Sequence, residues 1–386
     1  MLRDEGYHRC SVDRISRLAG CSRVSFYQYF SGKEDVFLRL IGAVASQVRA
    51  SIEALDPLTA DAGGWDSLRA WVAREAAIHR RYGPVFDAYG TASAGIEAVA
   101  ALGRRASEQN IAQIRSRLPA GSAVPLREQK AVVALLLGSM ARTFQLGGVL
   151  RAAARSAYPR ARIEEALTDV LHRTFFGRDD AVNVRPAPKP PPPRVEFPRS
   201  TQEILGHTRD AASGPAAATL LAAGLEVFVS KGYAGARIDD IVAAAGVSHG
   251  TFYQYFKNKN DLAHVLVMDA MRPLANAFEG MPDAFSSDAL RAWLRVYNDS
   301  HMHQAALIRV WVDAQSQGAT LGADAAPAID WGRRWVAKFL RPRGFGDVDA
   351  EAVVMVALLD AFGSHAQSGR AVDAVAHVVQ RGLLGL

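Results

Sequence analysis

Cysteine is almost missing from this chain of 386 residues: Cys10 and Cys21 are the whole complement. Two thiols cannot staple a fold of this size, and without histidines at ligand spacing they make no zinc site. They read as small packing residues in a reducing compartment, with redox sensing as the other reading. No uninterrupted apolar run reaches the ~18 to 20 residues of a membrane span; Ala131 to Leu137 is too short and resembles a buried helix. The N-terminus lacks the basic, apolar and small-residue succession of a secretion signal, so a cytoplasmic protein without a membrane partner is expected. Also missing are a glycine-rich phosphate loop, a nucleophile elbow and a His-Glu-x-x-His run, so an enzyme is not expected. His301 and His303 lie two apart, diverge on a helix and read as surface or packed histidines rather than a metal site. Neither a cofactor nor a metal is expected.

What is present suits a globular protein: 49% of residues are apolar and 22% charged, over a length fit for two domains. The net charge of +6 permits nucleic-acid binding. It is not concentrated, however. Residues 1–41 carry seven Lys+Arg against five Asp+Glu, and residues 216–266 carry four against four. Individual groups such as Arg23, Lys33, His249, Lys257 and Lys259 therefore matter more than bulk charge.

The chain says one thing twice. Phe26-Tyr27-Gln28-Tyr29-Phe30 recurs as Phe252-Tyr253-Gln254-Tyr255-Phe256, and the offset of 226 also pairs Gly6-Tyr7 with Gly232-Tyr233, Asp13 with Asp239 and Ile15 with Ile241. The same offset pairs Ala19-Gly20 with Ala245-Gly246, Ser22 with Ser248, Lys33 with Lys259 and Asp35 with Asp261. Each copy reads as helix, tight turn, helix. Ile238, Ile241 and Val242 share a helix face, Gly246 supplies the left-handed closing residue, and Ser248 caps the next helix. Such a turn between two short helices is the signature of a DNA-binding helix-turn-helix, whose second helix enters the major groove.

With its Gly-Tyr, short apolar helix, Ala-Gly-x-Ser, Phe-Tyr-x-Tyr-Phe and a Lys three residues on, the chain resembles the TetR family of one-component transcriptional regulators. The second copy matches well, from Leu221, Leu225 and Phe228 in a first helix to Lys259-Asn260-Asp261-Leu262 entering a fourth. The first copy has only Met1 to Glu5 before Gly6, so Val12, Ile15 and Phe26 would lose the helix that covers them. The expectation is that further coding sequence precedes Met1.

The resemblance implies an all-α fold of two tandem units: a helix-turn-helix head over 1–45, a helical sensor and dimerisation domain over 46–180, a Pro-rich linker over 181–212, a second head over 213–268 and a second sensor domain over 269–386. Pro186 to Pro198 lacks so many amides that an extended spacer of roughly 40 Å is expected. Val36 to Leu55, Trp65 to Tyr82, Val85 to Ile96, Ile111 to Leu118, Arg127 to Leu150 and Ile163 to Phe176 read as helices, with Pro57 and Gly63-Gly64 as breaks. The repeat extends beyond the heads: Leu68-Arg69-Ala70-Trp71 matches Leu290-Arg291-Ala292-Trp293 at offset 222, and Ala131-Val132-Val133 matches Ala352-Val353-Val354 at offset 221. Val353 to Phe362 and Val372 to Leu384 are then the terminal helices of the second unit.

For DNA, the resemblance points to Ser11, Ser22, Arg23, Ser25, Tyr27, Tyr29 and Lys33 in the first head. In the second it points to Arg237, Ser248, His249, Thr251, Tyr253, Tyr255 and Lys259. Arg23 can bond a guanine bidentately and His249 is a less decisive reader, so the two half-sites should differ. Phe26, Phe30, Phe252 and Phe256 belong to the core. The tyrosines have a second reading, packed on the fourth helix with the hydroxyl outward. The partners implied are operator DNA and a small-molecule effector, in a repressor more often than an activator. Trp65, Trp71, Phe86, Tyr89, Trp293, Trp311, Trp331 and Trp335 could line an effector pocket or simply fill the core. The halves would pair within one chain and read an imperfect palindrome, or two chains would pair into four heads. A further alternative leaves DNA to the second head alone, with the first half as a dimerisation or effector module.

Overall fold

The computed structural model describes residues 2, 6–7, 10–153, 158–183, 214–282, 286–316, 325–365 and 369–386. The proline-rich stretch 186–198 lies outside them. Every regular element among the described residues is helical, as the all-α expectation has it.

The first half runs α1 (Val12–Leu18), α2 (Arg23–Tyr29), α3 (Lys33–Glu53), α4 (Ala62–Gly95), α5 (Glu97–Arg117), α6 (Gln129–Ala153), α7 (Arg160–Phe176) and the short α8 (Asp180–Asn183). The second runs α9 (Pro215–Gly235), α10 (Ile238–Ala245), α11 (His249–Tyr255), α12 (Lys259–Glu279), α13 (Ser287–Ser316), α14 (Ala325–Leu340), α15 (Val348–His365) and α16 (Gly369–His377), which continues into a π-helical turn over Val378–Leu384.

Two local expectations fail. A break between Tyr82 and Val85 is absent, because α4 runs through Pro84 and forgoes the hydrogen bond that a proline nitrogen cannot give to the Arg80 carbonyl. Gly63 and Gly64 do not break a helix but begin one: Asp61 caps α4 by accepting the Gly64 amide at 3.0 Å. Asp61 is held below the usual carboxylate range by the Thr59 hydroxyl and that amide.

The apolar stretch in α6 also needs correction. Over Gln129–Ala152 it is long and apolar enough, by length and composition, to cross a membrane, although half of its most apolar window is buried inside the protein. The unbroken apolar stretch ends at Leu137, before Gly138 and Ser139, and Arg142 and Gln145 interrupt the helix further on, so a count of unbroken apolar residues does not detect it.

The core forms where the halves meet. α6 and α7 pack against α15, α16 and the π turn, which makes the junction a helical bundle drawn from both halves. Leu146, Leu150, Tyr158 and Ile163 bury themselves with Val353 and Ala357. Ion pairs flank this seam. Arg142 pairs with Asp360, Arg162 Nη2 donates to Asp347 at 2.8 Å, and the Tyr158 hydroxyl donates to Asp330 at 3.2 Å. Deepest are Arg173 and Arg343, both donating to one carboxylate oxygen of Glu351 at 2.7 Å, with Arg173 also bonded to the Gly382 carbonyl. All three side chains are essentially inaccessible to solvent.

Candidate nucleic-acid interface and sensor cleft

Both heads are built by the same local chemistry. In the first, Ser11 caps α1 by accepting the Arg14 amide at 3.3 Å, and Ser22 caps α2 by accepting the Ser25 amide at 3.0 Å. In the second, Ser248 accepts the Thr251 amide at 3.1 Å, and the Arg237 amide donates to Asp240 at 3.1 Å as α10 begins. Lys231 pairs with Asp240 at 2.7 Å and holds that carboxyl below its usual range. The turn glycines agree closely, with φ of 67° at Gly20 and 65° at Gly246, a left-handed conformation that a side chain would strain. Gly6 and Gly232 share a φ of 68°.

The two second helices present matching faces. Arg23 at the start of α2 lies 3.0 Å from Asp13, and His249 at the start of α11 lies 2.7 Å from Asp239. Each of these side chains is thus parked on an aspartate of the preceding helix by an exposed contact. Such pairs contribute little in water and exchange readily for a phosphate or a base. Behind them Phe26 and Phe252 are buried, while Tyr27 and Tyr253 stand 51% and 57% exposed. Phe26 keeps its burial despite the expectation that it would lose its cover, and Ile15 is half-buried.

Other expected contacts separate. Tyr29 is 69% exposed, whereas Tyr255 is half-buried against the core, near the start of α9 at Gly214. Lys259 turns inward: its ammonium donates to the Tyr233 and Ala236 carbonyls at 2.7 and 2.9 Å and sits over the Tyr233 ring. Lys33 similarly lies over the Tyr7 ring at 4.8 Å. As phosphate contacts both would first have to leave these partners, so they act in the free protein as clamps between the fourth helix and the Gly-Tyr turn. Sequence reasoning had no signal for this, since a lysine reads alike on a clamp and on a phosphate site.

The first head is less completely covered. Phe256 is buried but Phe30, expected in the core, is half-buried and carries the Arg39 guanidinium 4.8 Å above its ring. Where the second head buries Val242, the first buries Ser16, whose hydroxyl has no hydrogen-bond partner among the described residues. A buried hydroxyl in that state costs about 1–3 kcal/mol.

Of the aromatic residues proposed for a pocket, Trp71, Trp293 and Trp331 are buried core. Trp65 donates to Asp169 at 2.7 Å, Trp335 and Tyr89 pack at the edge of clusters, and the Trp311 side chain is outside the description. Phe86 does line a cavity. It has a volume of about 240 Å³ and lies between α4, α6 and α7, with His79, Arg80, Asp87, Gln145, Arg151 and Glu164 on its wall. Burial pulls the His79 pKa below its usual value and raises that of Glu164, against the pull of Arg80, Arg151 and Arg160. His301 is buried and stacked on Tyr297. Among the described residues no cluster of metal-ligating side chains occurs.

A capped, exposed second helix on a buried aromatic, repeated in both halves, defines a helix-turn-helix protein. Residues 1–40 and 220–266 both match the model of the bacterial regulatory proteins of the tetR family. The two heads are thus similar to the N-terminal domain of that family. The transcriptional regulator AcuR of Cereibacter sphaeroides is 45% identical over 49 residues, 13% of this chain and 22% of that protein, so the chain spans about a fifth of its relative's length. A solved structure described as a fatty acid metabolism regulator of Clostridium perfringens aligns with 44% of this chain and 98% of its own. With 15% identity and a TM-score of 0.35, that likeness is too slight to carry an inference.

Proposed function

We propose that the chain is a DNA-binding transcriptional regulator, most simply a cytoplasmic repressor, that reads an imperfect palindrome with two heads carried on one polypeptide. The observation that carries this is the repetition of one exposed reading face, with Arg23 and Tyr27 in one copy and His249 and Tyr253 in the other, each held by the same cap and the same aspartate. A helix N-terminus with these groups fits a major groove, and tyrosine hydroxyls and arginines reach the flanking phosphates.

The seam between α6–α7 and α15–α16 supports an intramolecular pair, because the surfaces by which two chains of this family would join are here occupied within one chain. The sensor domains would release DNA when a small-molecule effector shifts the population away from the spacing of ~34–36 Å that two half-sites need. Selection of bound duplexes from a random pool tests the reading. Two unlike half-sites at a fixed spacing are expected, and a single short site would contradict it.

A second reading has one specific observation behind it. The half-buried Phe30 and the unbonded Ser16 hydroxyl make the first head the weaker fold, and DNA would then be read by the second head alone. Replacing Arg23 and Tyr27 with Ala separates the two: unchanged affinity for the selected duplex supports the single-headed reading.

A further inference from the structure

The cavity between α4, α6 and α7 has a composition that neither core packing nor a solvated surface explains. Arg80, Arg151 and Arg160 converge on it, answered by Glu164 and Asp87. Glu164 sits 3.5 Å from Arg80, and Asp87 already accepts from Gln145 at 2.8 Å. Positive charge is in surplus at a half-enclosed place. Burial and the neighbouring Arg160 both work against the charge on Arg151.

The opposite wall is aromatic, with Phe144 tilted 53° to the His79 ring. The His79 ring stacks parallel to Phe86 at 4.1 Å and lies 5.1 Å from Phe144, while Ala76, Gly83 and Gly148 leave room in front of it. His79 Nδ1 faces the Glu75 carbonyl at 3.0 Å and so carries the proton of a neutral ring. That leaves Nε2 as an acceptor, sealed from solvent and without a partner among the described residues.

We propose that this cleft binds a small aromatic or conjugated carboxylic acid, its carboxylate at Arg151 and Arg160 and its flat body against Phe86. Arginine is suited to this because its planar fork matches a carboxylate, and a stacked aromatic wall holds a flat body at little entropic cost. The inference gives a chemical class to the effector of the regulator proposed above. The site is also one hydrogen bond from the seam: Gln145, on its wall, accepts from Arg142, which pairs with Asp360 in the second half.

The test is calorimetric titration of the full chain, without DNA, using 4-hydroxybenzoate and 4-hydroxybenzamide as probes. The acid is expected to bind one to one and at least tenfold tighter than the amide, which has the same shape but lacks the charge and one acceptor oxygen. Arg151→Gln and the exposed Arg160→Gln should each weaken the acid at least tenfold and leave the amide unchanged, with circular dichroism verifying the fold. An amide that binds as tightly as the acid, no saturation by the acid up to about 10 mM, or both variants binding like the parent would overturn the proposal. Since no DNA is present, a negative result leaves the DNA-reading account standing, and a failure of DNA binding leaves a positive result standing.

Discussion

Glu351→Gln should weaken the seam between the halves without changing its shape. Glu351 is fully buried and is the shared acceptor of Arg173 from the first half and Arg343 from the second. The substitution preserves volume and leaves two adjacent buried guanidinium groups facing a neutral amide. Removing one partner from a buried ion pair costs about 3–5 kcal/mol, with Asp169 near Arg343 placing the expectation towards the lower figure. Against a typical stability of about 5–15 kcal/mol this is a large fraction. Urea unfolding followed by far-ultraviolet circular dichroism reads it as a lowered midpoint. Glu97→Gln serves as the control, because its pair with Arg104 is exposed and should contribute less than about 1 kcal/mol. If Glu351→Gln unfolds within about 1 kcal/mol of the parent protein, the triad does not hold the halves together and the reasoning is wrong.

Three other substitutions have definite outcomes. Ser16→Val should stabilise the first head by about 1–2 kcal/mol, read as slower amide hydrogen exchange in α1 and α2, because it removes an unbonded buried hydroxyl. Ser248→Ala should cost about 1 kcal/mol of α11 stability, visible in the same exchange experiment on the second head. Burial pushes the Glu75 carboxyl up to about 7, so the folded state keeps a proton that the unfolded chain has released. Its contribution is therefore fully present below about pH 4.5 and is lost as pH rises through 7, and Glu75→Gln should flatten that part of the stability profile, measured as the parent-minus-variant difference in melting temperature between pH 5 and 8.

The heads were legible because their chemistry is local. A serine cap, a left-handed glycine and a buried phenylalanine are set by residues within a few positions, and Ser22, Gly246 and Phe252 take up those places. Phe30 is not legible for the opposite reason: its cover depends on packing beyond its neighbours in sequence, and the identical Phe-Tyr-Gln-Tyr-Phe around Phe256 ends in a buried ring whereas Phe30 is half-buried. The lysines were equally opaque. Whether Lys259 meets a phosphate or the Tyr233 carbonyl is decided across 26 residues. The α4 break failed because a proline in a long, well-packed helix forfeits one hydrogen bond rather than the whole element. The cleft was beyond reach, since Arg80, Arg151 and Arg160 come together only when α4, α6 and α7 pack.

The stoichiometry of chain on duplex weighs most directly on the account as a whole. Light scattering of the purified protein, alone and with a selected operator duplex, should give one chain in solution and one chain per two-half-site duplex. Two chains on that duplex, or an obligate dimer at low micromolar concentration, would mean that the seam within the chain does not serve as its dimer interface.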